Sequence, residues 1–216
     1  MKRASPQRGA AQSGKVRIIG GHWRGTRLDV ADVAGLRPSS DRVRETLFNW
    51  LQADIRGARC LDMFAGSGAL GFEAASRGAE QVVMIERDAR ATANLRALVQ
   101  RLDAKQIEVV AGDALAWLAR QPTCAFDLVF IDPPFASGLM QPVLDRLGPW
   151  LAPAAQVYLE FAADAALPEL TGFTPRREGH TRETRFHLLH RTMGRSGCNA
   201  PVTLEPQPSV GTTSTT

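Results

Sequence analysis

Several scarcities narrow the reading before any motif is considered. The chain has three cysteines, Cys60, Cys124 and Cys198, widely spaced, with no Cys-x-x-Cys pair and no histidine cluster beside them. A disulfide framework and a tetrahedral zinc site are both excluded, and no metal is expected. Histidine is sparse too: His22, His180, His187 and His190 are scattered, and each is read as structural or exposed before catalytic. No apolar run approaches the roughly 18 residues that span a bilayer, and the opening MKRASPQRGAAQSGK lacks the apolar centre of a secretory signal. A cytoplasmic location follows as the expectation. Nothing reads as an oligomerisation seam, so a monomer is expected.

What is present fits one globular domain: 216 residues, 44% hydrophobic and 22% charged, enough for a sizeable core. The net charge of +4 is unevenly spread, because residues 1–59 hold 12 Lys and Arg against 5 Asp and Glu. A basic segment beside a slightly acidic body suits a polyanionic partner, and equally a solvated charged face.

Composition divides the chain. Residues 1–14 form a basic tail and 194–216 a Pro, Ser, Thr and Gly rich one, both expected to be flexible. Residues 15–57 read as an extension: VRIIGGHWRGTRLDV suggests a small hairpin around Gly20 and Gly21, its exposed side carrying Arg17, Arg24 and Arg27. A helix follows, with Ser39, Ser40 or Asp41 as N-cap, Val43, Leu47, Trp50, Leu51 and Ile55 on its apolar face, and Arg42, Glu45 and Asn49 opposite. Over 58–193, short β-branched runs alternate with longer amphipathic stretches, the mark of βαβ units on a parallel sheet. Strands are expected at 59–63, 81–86, 107–110, 126–131 and 155–161, and helices near 69–78, 88–102, 112–120 and 138–151. FTPRREGH and TRFHLLHR should close the sheet as an antiparallel pair.

In open α/β sheets the ligand lies beyond the carboxyl ends of the strands, so the strand-ending residues are the ones to compare. The first strand ends in Asp62 and enters LDMFAGSGALG, where Gly66, Gly68 and Gly71 spell G-x-G-x-x-G. The second ends in Glu86, about 20 residues on, as for a carboxylate on ribose hydroxyls. After the third, Asp113 is placed to accept from an adenine amine. A dinucleotide pyrophosphate favours a bare helix N-terminus, whereas the ammonium of S-adenosylmethionine wants a carboxylate, which Asp62 provides. The fourth strand ends in Asp132-Pro133-Pro134-Phe135. Two prolines remove two backbone donors and leave carbonyl oxygens facing the cleft. Methylating an exocyclic base amine requires acceptors for its N–H bonds, which the Asp132 carboxylate and Pro133 carbonyl supply, while Phe135 can stack on the base.

Asp62 to Gly68, Glu86, Asp113 and the DPPF turn, in this order, resemble the class I S-adenosylmethionine-dependent amino-methyltransferases. RIIGGHWRG at 17–25, LRPSSDRVRETLFNWL at 36–51, CLDMFAGSGALGFEA at 60–74 and FIDPPF at 130–135 resemble the bacterial RsmD family, the 16S rRNA (guanine(966)-N2)-methyltransferases. The likeness covers about residues 15–192.

That resemblance implies a Rossmann-like class I methyltransferase fold, a mostly parallel seven-stranded sheet with helices on both faces plus the small N-terminal β-hairpin and helix. It implies methylation of one guanine N2 in 16S ribosomal RNA, with the small subunit or an assembly intermediate as partner. Asp62, Phe64, Ala65, Gly66, Ser67, Gly68, Glu86, Arg87, Asp113 and Ala114 would hold the cofactor, with Ser40 and Arg42 over its methionine end. Asp132, Pro133, Pro134 and Phe135 would hold the target base. Arg17, Arg24 and Arg27 would grip RNA, and Trp23 would either stack an unpaired base or pack under the hairpin. The tail after Met193 matches nothing in the family pattern. Other readings are a methyltransferase for DNA adenine N6 or cytosine N4, an NAD-binding oxidoreductase on the same core, and an assembly protein with a vestigial cofactor site.

Overall fold

The computed structural model describes residues 15–29, 40–122, 124–135 and 137–192. Both terminal tails, together with Ser39 and Cys198, lie outside the described residues. Two short strands, β1 (Lys15–Arg17) and β2 (Arg27–Asp29), pair antiparallel and precede helix α1 (Asp41–Trp50). Then come β3 (Arg59–Asp62), α2 (Ala69–Ser76), β4 (Gln81–Glu86), α3 (Ala89–Arg101), β5 (Ile107–Ala111), α4 (Ala114–Leu118), β6 (Phe126–Ile131) and α5 (Met140–Leu147). The chain ends in β7 (Leu151–Ala162), β8 (Phe173–His180) and β9 (Thr184–Arg191).

The seven later strands form one sheet in the order β5-β4-β3-β6-β7-β9-β8. β3 to β7 run parallel, and β9 inserts antiparallel between β7 and β8. The central strands are apolar on both faces, as in β4, where Val82 to Ile85 are all buried, because helices cover both sides. One core layer joins Leu47 and Phe48 of α1, Leu70 and Phe72 of α2 and Leu95 of α3 to the sheet. The other holds Trp117 of α4 and Val143 and Leu147 of α5. The strand order reverses between β3 and β6, opening the crevice characteristic of such sheets at their carboxyl ends. Among the described residues no helix is long and apolar enough to cross a membrane.

Several boundaries differ from expectation for local reasons. Gly148-Pro149 ends α5 in a 3-10 turn (Gly148–Trp150), so β7 starts at Leu151 rather than 155. Ala-Pro-Ala-Ala carries little strand propensity, which hid that start. Ser40 is the cap of α1, its hydroxyl accepting from the Val43 N–H at 3.3 Å. Gly20 and Gly21 do not form a tight turn between the strands. They sit on one arm of a longer loop, where Gly21 has φ +76° and a Cβ would lie 1.9 Å from the Ser76 carbonyl oxygen.

That close approach belongs to a docking seam which the apolar pattern gives no hint of. Arg44 is fully buried, although it is charged and lies mid-helix. Its Nη2 donates to the Arg17 carbonyl at 2.9 Å and to Asp41 at 2.6 Å, while its Nη1 lies 3.7 Å from Glu73 of α2, also fully buried. Glu73 in turn accepts from the Ile19 and Gly20 N–H groups at 2.7 and 2.8 Å and from Arg77 at 2.7 Å. One carboxylate thereby joins the hairpin, α1 and α2.

Breaking a buried ion pair costs about 3–5 kcal/mol when the other member is left without a partner. Glu73→Gln leaves Arg44 with Asp41 as its carboxylate, so the loss is expected toward the lower end of that range, visible as a fall of roughly 10 °C in melting temperature. Arg77→Ala, which removes a partner that is partly exposed, should cost far less. Urea or thermal unfolding of both variants checks this, and equal losses would contradict it.

Candidate active site

A single cleft of about 810 Å³ opens at the carboxyl ends of the strands. It is lined by Asp62 and the loop Met63–Ser67, by Glu86 to Asp88 after β4, by Gly112 to Ala114 after β5, and by Asp132 to Phe135 after β6. Ser40 and Val43 of α1 close one side. The structure therefore brings together Ser40, Asp62, Phe64, Ala65, Gly66, Ser67, Glu86, Arg87, Asp113, Ala114, Asp132, Pro133, Pro134 and Phe135.

It leaves out others. Gly68 is absent from the lining. It is the left-handed N-cap of α2 at φ +78°, and a Cβ there would strike Leu95 and Phe72 at 2.7 Å, so its work is the turn itself. Arg42 falls on the exposed face of α1, one helical step from the lining residue Val43. Arg24 and Arg27 are exposed but accompany the far ends of α2 and α3: the adjacent His22 N–H donates to Ser76, and Arg101 donates to the Arg27 carbonyl. Since α2 begins at the cleft, that end lies roughly 12 Å away. Arg17, 3.9 Å from Asp41 at the start of α1, is the hairpin arginine nearest the mouth. Trp23 is partly buried against the core with its ring edge toward His22, so packing occupies it.

The sequence reading missed a second group, comprising Leu139, Glu160, Thr181, Glu183 and Thr184. The last three belong to the β8–β9 turn, which reaches the cleft only because β9 returns beside β7. Strand length alone gives no sign of that pairing.

The glycine loop after β3 is held by carboxylates. Glu86 accepts from the Gly66 N–H at 2.8 Å with one oxygen and from the Asp88 N–H at 2.7 Å with the other. Asp88 caps α3 through the Arg90 and Ala91 N–H groups, and Asp113 caps α4 through Ala116. Asp62 accepts from the Gly71 N–H at 3.1 Å, filling one of the donors at the start of α2. Burial raises its pKa to about 7, the backbone N–H groups of Phe64 and Gly71 oppose the rise, and the charge of Glu86 adds to it. A buried carboxylate so disposed gains from a cation placed against it. The Cys60 thiol is also raised, by burial and by Asp127 and Asp62, which makes it a poor nucleophile. Burial against Phe161 lowers His187. Among the described residues no group of three His, Cys, Asp or Glu forms a metal site.

At the fourth strand end, the Ser137 N–H donates to the Pro134 carbonyl at 3.1 Å, folding the turn. Pro133 is buried, Asp132 half-buried, and Phe135 is 46% exposed, one of two large apolar side chains left open among the described residues. An aromatic ring standing open at a cleft mouth offers a face to a planar ligand.

Because Asp62 holds a proton more tightly folded than unfolded, its contribution to stability falls as pH rises from about 4 through about 7. The loss amounts to on the order of 4 kcal/mol. Asp62→Asn should thus be more stable than the parent at pH 8, with the advantage shrinking toward pH 4. Melting curves at both pH values check this, and parallel pH profiles of the two proteins would refute it.

A family model described as conserved hypothetical protein 95 matches residues 16–190. Ribosomal RNA small subunit methyltransferase D of Escherichia coli is 43% identical over 182 residues, covering 83% of this chain and 91% of the relative. The protein of the same name from Haemophilus influenzae is 42% identical, covering 81% and 93%. The solved structure of a methyltransferase candidate from Escherichia coli superposes with a TM-score of 0.78 at 41% identity, covering 83% of this chain and 99% of that one. With that extent of match in sequence and in fold, the chain belongs to the RsmD family of methyltransferases.

Proposed function

We propose that the protein transfers a methyl group from S-adenosylmethionine to the exocyclic N2 of one guanine in 16S ribosomal RNA, on the small subunit or an assembly intermediate. The observation that carries this reading is the convergence of the Asp62 loop, Glu86, Asp113 and the Asp132–Phe135 turn on one cleft. The relatives' shared name, with its ribosomal RNA of the small subunit, supports the substrate class.

The residues suit the cofactor chemically. Asp62 faces the cleft from full burial, and an ammonium beside it would restore its charged form. Glu86 keeps lone pairs for ribose hydroxyls while its backbone contacts hold Gly66 in place. The Asp113 side chain uses one oxygen on Ala116, leaving the other for an adenine amine. Phe64, Ala65, Ser67, Arg87 and Ala114 line the same wall, with Ser40 above. When bound, S-adenosylmethionine supplies an electrophilic methyl on a sulfonium.

On the substrate side, the guanine must leave its stack to enter the cleft. The Asp132 carboxylate and Pro133 carbonyl accept the two N2–H bonds, which turns the nitrogen lone pair out of the ring plane, and as the nitrogen takes the methyl carbon with the S–C bond breaking toward sulfur, Asp132 takes the displaced N2 proton. Phe135 stacks on the base. No covalent intermediate on the protein is needed, and catalysis is mostly positioning, an effect worth roughly 7 kcal/mol or more. Arg17 beside the mouth, and Arg24 and Arg27 further along, contact phosphates that fix register without reading sequence.

The test is transfer of labelled methyl to small subunits from cells lacking the endogenous activity. Asp132→Ala is expected to lose at least about a hundredfold in rate while still binding S-adenosylmethionine. Phe135→Ala should lose about tenfold to a hundredfold in kcat/KM, the worth of one stacked base. Label on DNA alone, or an active Asp132→Ala, overturns the reading.

A further inference from the structure

Glu160 is a buried acid of the cleft wall beside the DPPF turn. It lies on β7, where Leu159 pairs with Ile131, the last residue of β6, so Glu160 stands level with Asp132, the first residue of the turn that follows. On β7 it shares a sheet face with Tyr158, whose ring meets that of Phe130 at 6.4 Å. Glu160 is only 4% exposed, yet it lines the cleft together with the DPPF turn. A carboxylate so buried is held by polar partners, of which Tyr158 is one. The Tyr158 hydroxyl donates to one Glu160 oxygen at 2.7 Å, which fixes the carboxylate on a rigid strand. Its tyrosine proton is held strongly, through burial and through the negative charges of Glu160 and Asp132. The other acid of that wall, Glu183, stands exposed on a turn and is less suited to precise recognition.

The arrangement sets a carboxylate next to the acceptors for a reacting amine. Base chemistry then distinguishes the ligands. Guanine presents N1–H directly beside its N2 amine, so two adjacent donors face outward. Adenine and cytosine present a ring-nitrogen lone pair beside their exocyclic amine, which a carboxylate repels. We propose that Glu160 reads the guanine N1–H and so selects guanine over other amino-bearing bases. The inference rests on the methyl-transfer reading of the cleft and assigns the base specificity of that same site. Tyr158 acts as a positioning residue, holding the carboxylate in plane with the edge it reads.

The probe is 2-aminopurine, which carries the same N2 amine but has a lone pair at N1. Small subunits are reconstituted on RNA bearing guanine or 2-aminopurine at the methylated position, and initial rates of labelled methyl transfer are compared. The parent protein should prefer guanine by about tenfold to a hundredfold, the worth of one good base contact. Glu160→Gln, whose amide can donate to an N1 lone pair, should lose guanine transfer by a similar factor while keeping or raising transfer to 2-aminopurine. A parent that methylates both bases equally overturns the proposal without any variant. So does a Glu160→Gln protein that loses both in proportion or keeps the parental ratio. Absence of transfer to guanine by the parent would instead sink the methyl-transfer reading itself.

Discussion

The Arg44–Glu73 pair is the constraint from which the arrangement of the site follows. Arg44 is bonded through Nη2 alone, to Arg17 and Asp41, and its Nη1 meets Glu73 only as an ion pair, while Glu73 takes its hydrogen bonds from the hairpin and Arg77. Glu73 lies one turn into α2, the helix that starts at the glycine loop, and Arg44 lies one turn into α1, whose cap Ser40 overlooks the cleft. Fixing one carboxylate against one guanidinium thus sets the separation between the loop and its cover. The hairpin is drawn in by the same group through the Ile19 and Gly20 N–H bonds, and a second seam ties it to α3 through Arg101 and Asn94. Hydrophobic contact alone would not fix such a register, because helices slide on apolar surfaces at little cost compared with stranding a buried charge.

Around the cleft, carboxylates hold the backbone in shape. Glu86 and Asp113 each occupy a backbone donor within the loops that shape the site, and Asp62 does so at the start of α2. Their different burial gives them different chemistry. Asp62 is fully enclosed and its charge is penalised, so it is the group with most to gain from a cation. Asp113 is exposed and stays a simple acceptor. A loop held this way is ordered before any ligand arrives, which spares the ligand the cost of ordering it.

The fold and the principal loops were legible because they obey local rules. β-branched runs, the spacing of Gly66 to Glu86, and the DPPF turn all follow from short-range chemistry, and the antiparallel pair at the C-terminal end was read at its observed bounds. What escaped depends on the third dimension. Arg44 looks like any surface arginine, since its burial follows from where Glu73 and the hairpin meet. Arg42 was expected over the cleft, yet the turn of the helix sends it outward and Val43 in. Glu160 sits within an apolar strand run, and nothing nearby in sequence says that β6 ends beside it. Thr181 and Thr184 reach the site only through the return of β9. Apart from Arg42, whose direction is set by the helix turn itself, the deciding contact joins residues dozens of positions apart.

The distribution of charge around the mouth adds a physical selection that no single residue performs. The cleft wall carries Asp62, Glu86, Asp132 and Glu160, with Asp113 exposed at its edge, a set that disfavours phosphate. Its surroundings carry exposed arginines: Arg87 on the lining, Arg42 beside Ser40 and Val43, Arg182 between Thr181 and Glu183, and Arg17 near Asp41. A polyanion is attracted to such a rim and kept out of the centre. A neutral group bearing N–H donors meets acceptors there instead, and on the methyl-transfer reading proposed above that group is an unstacked base.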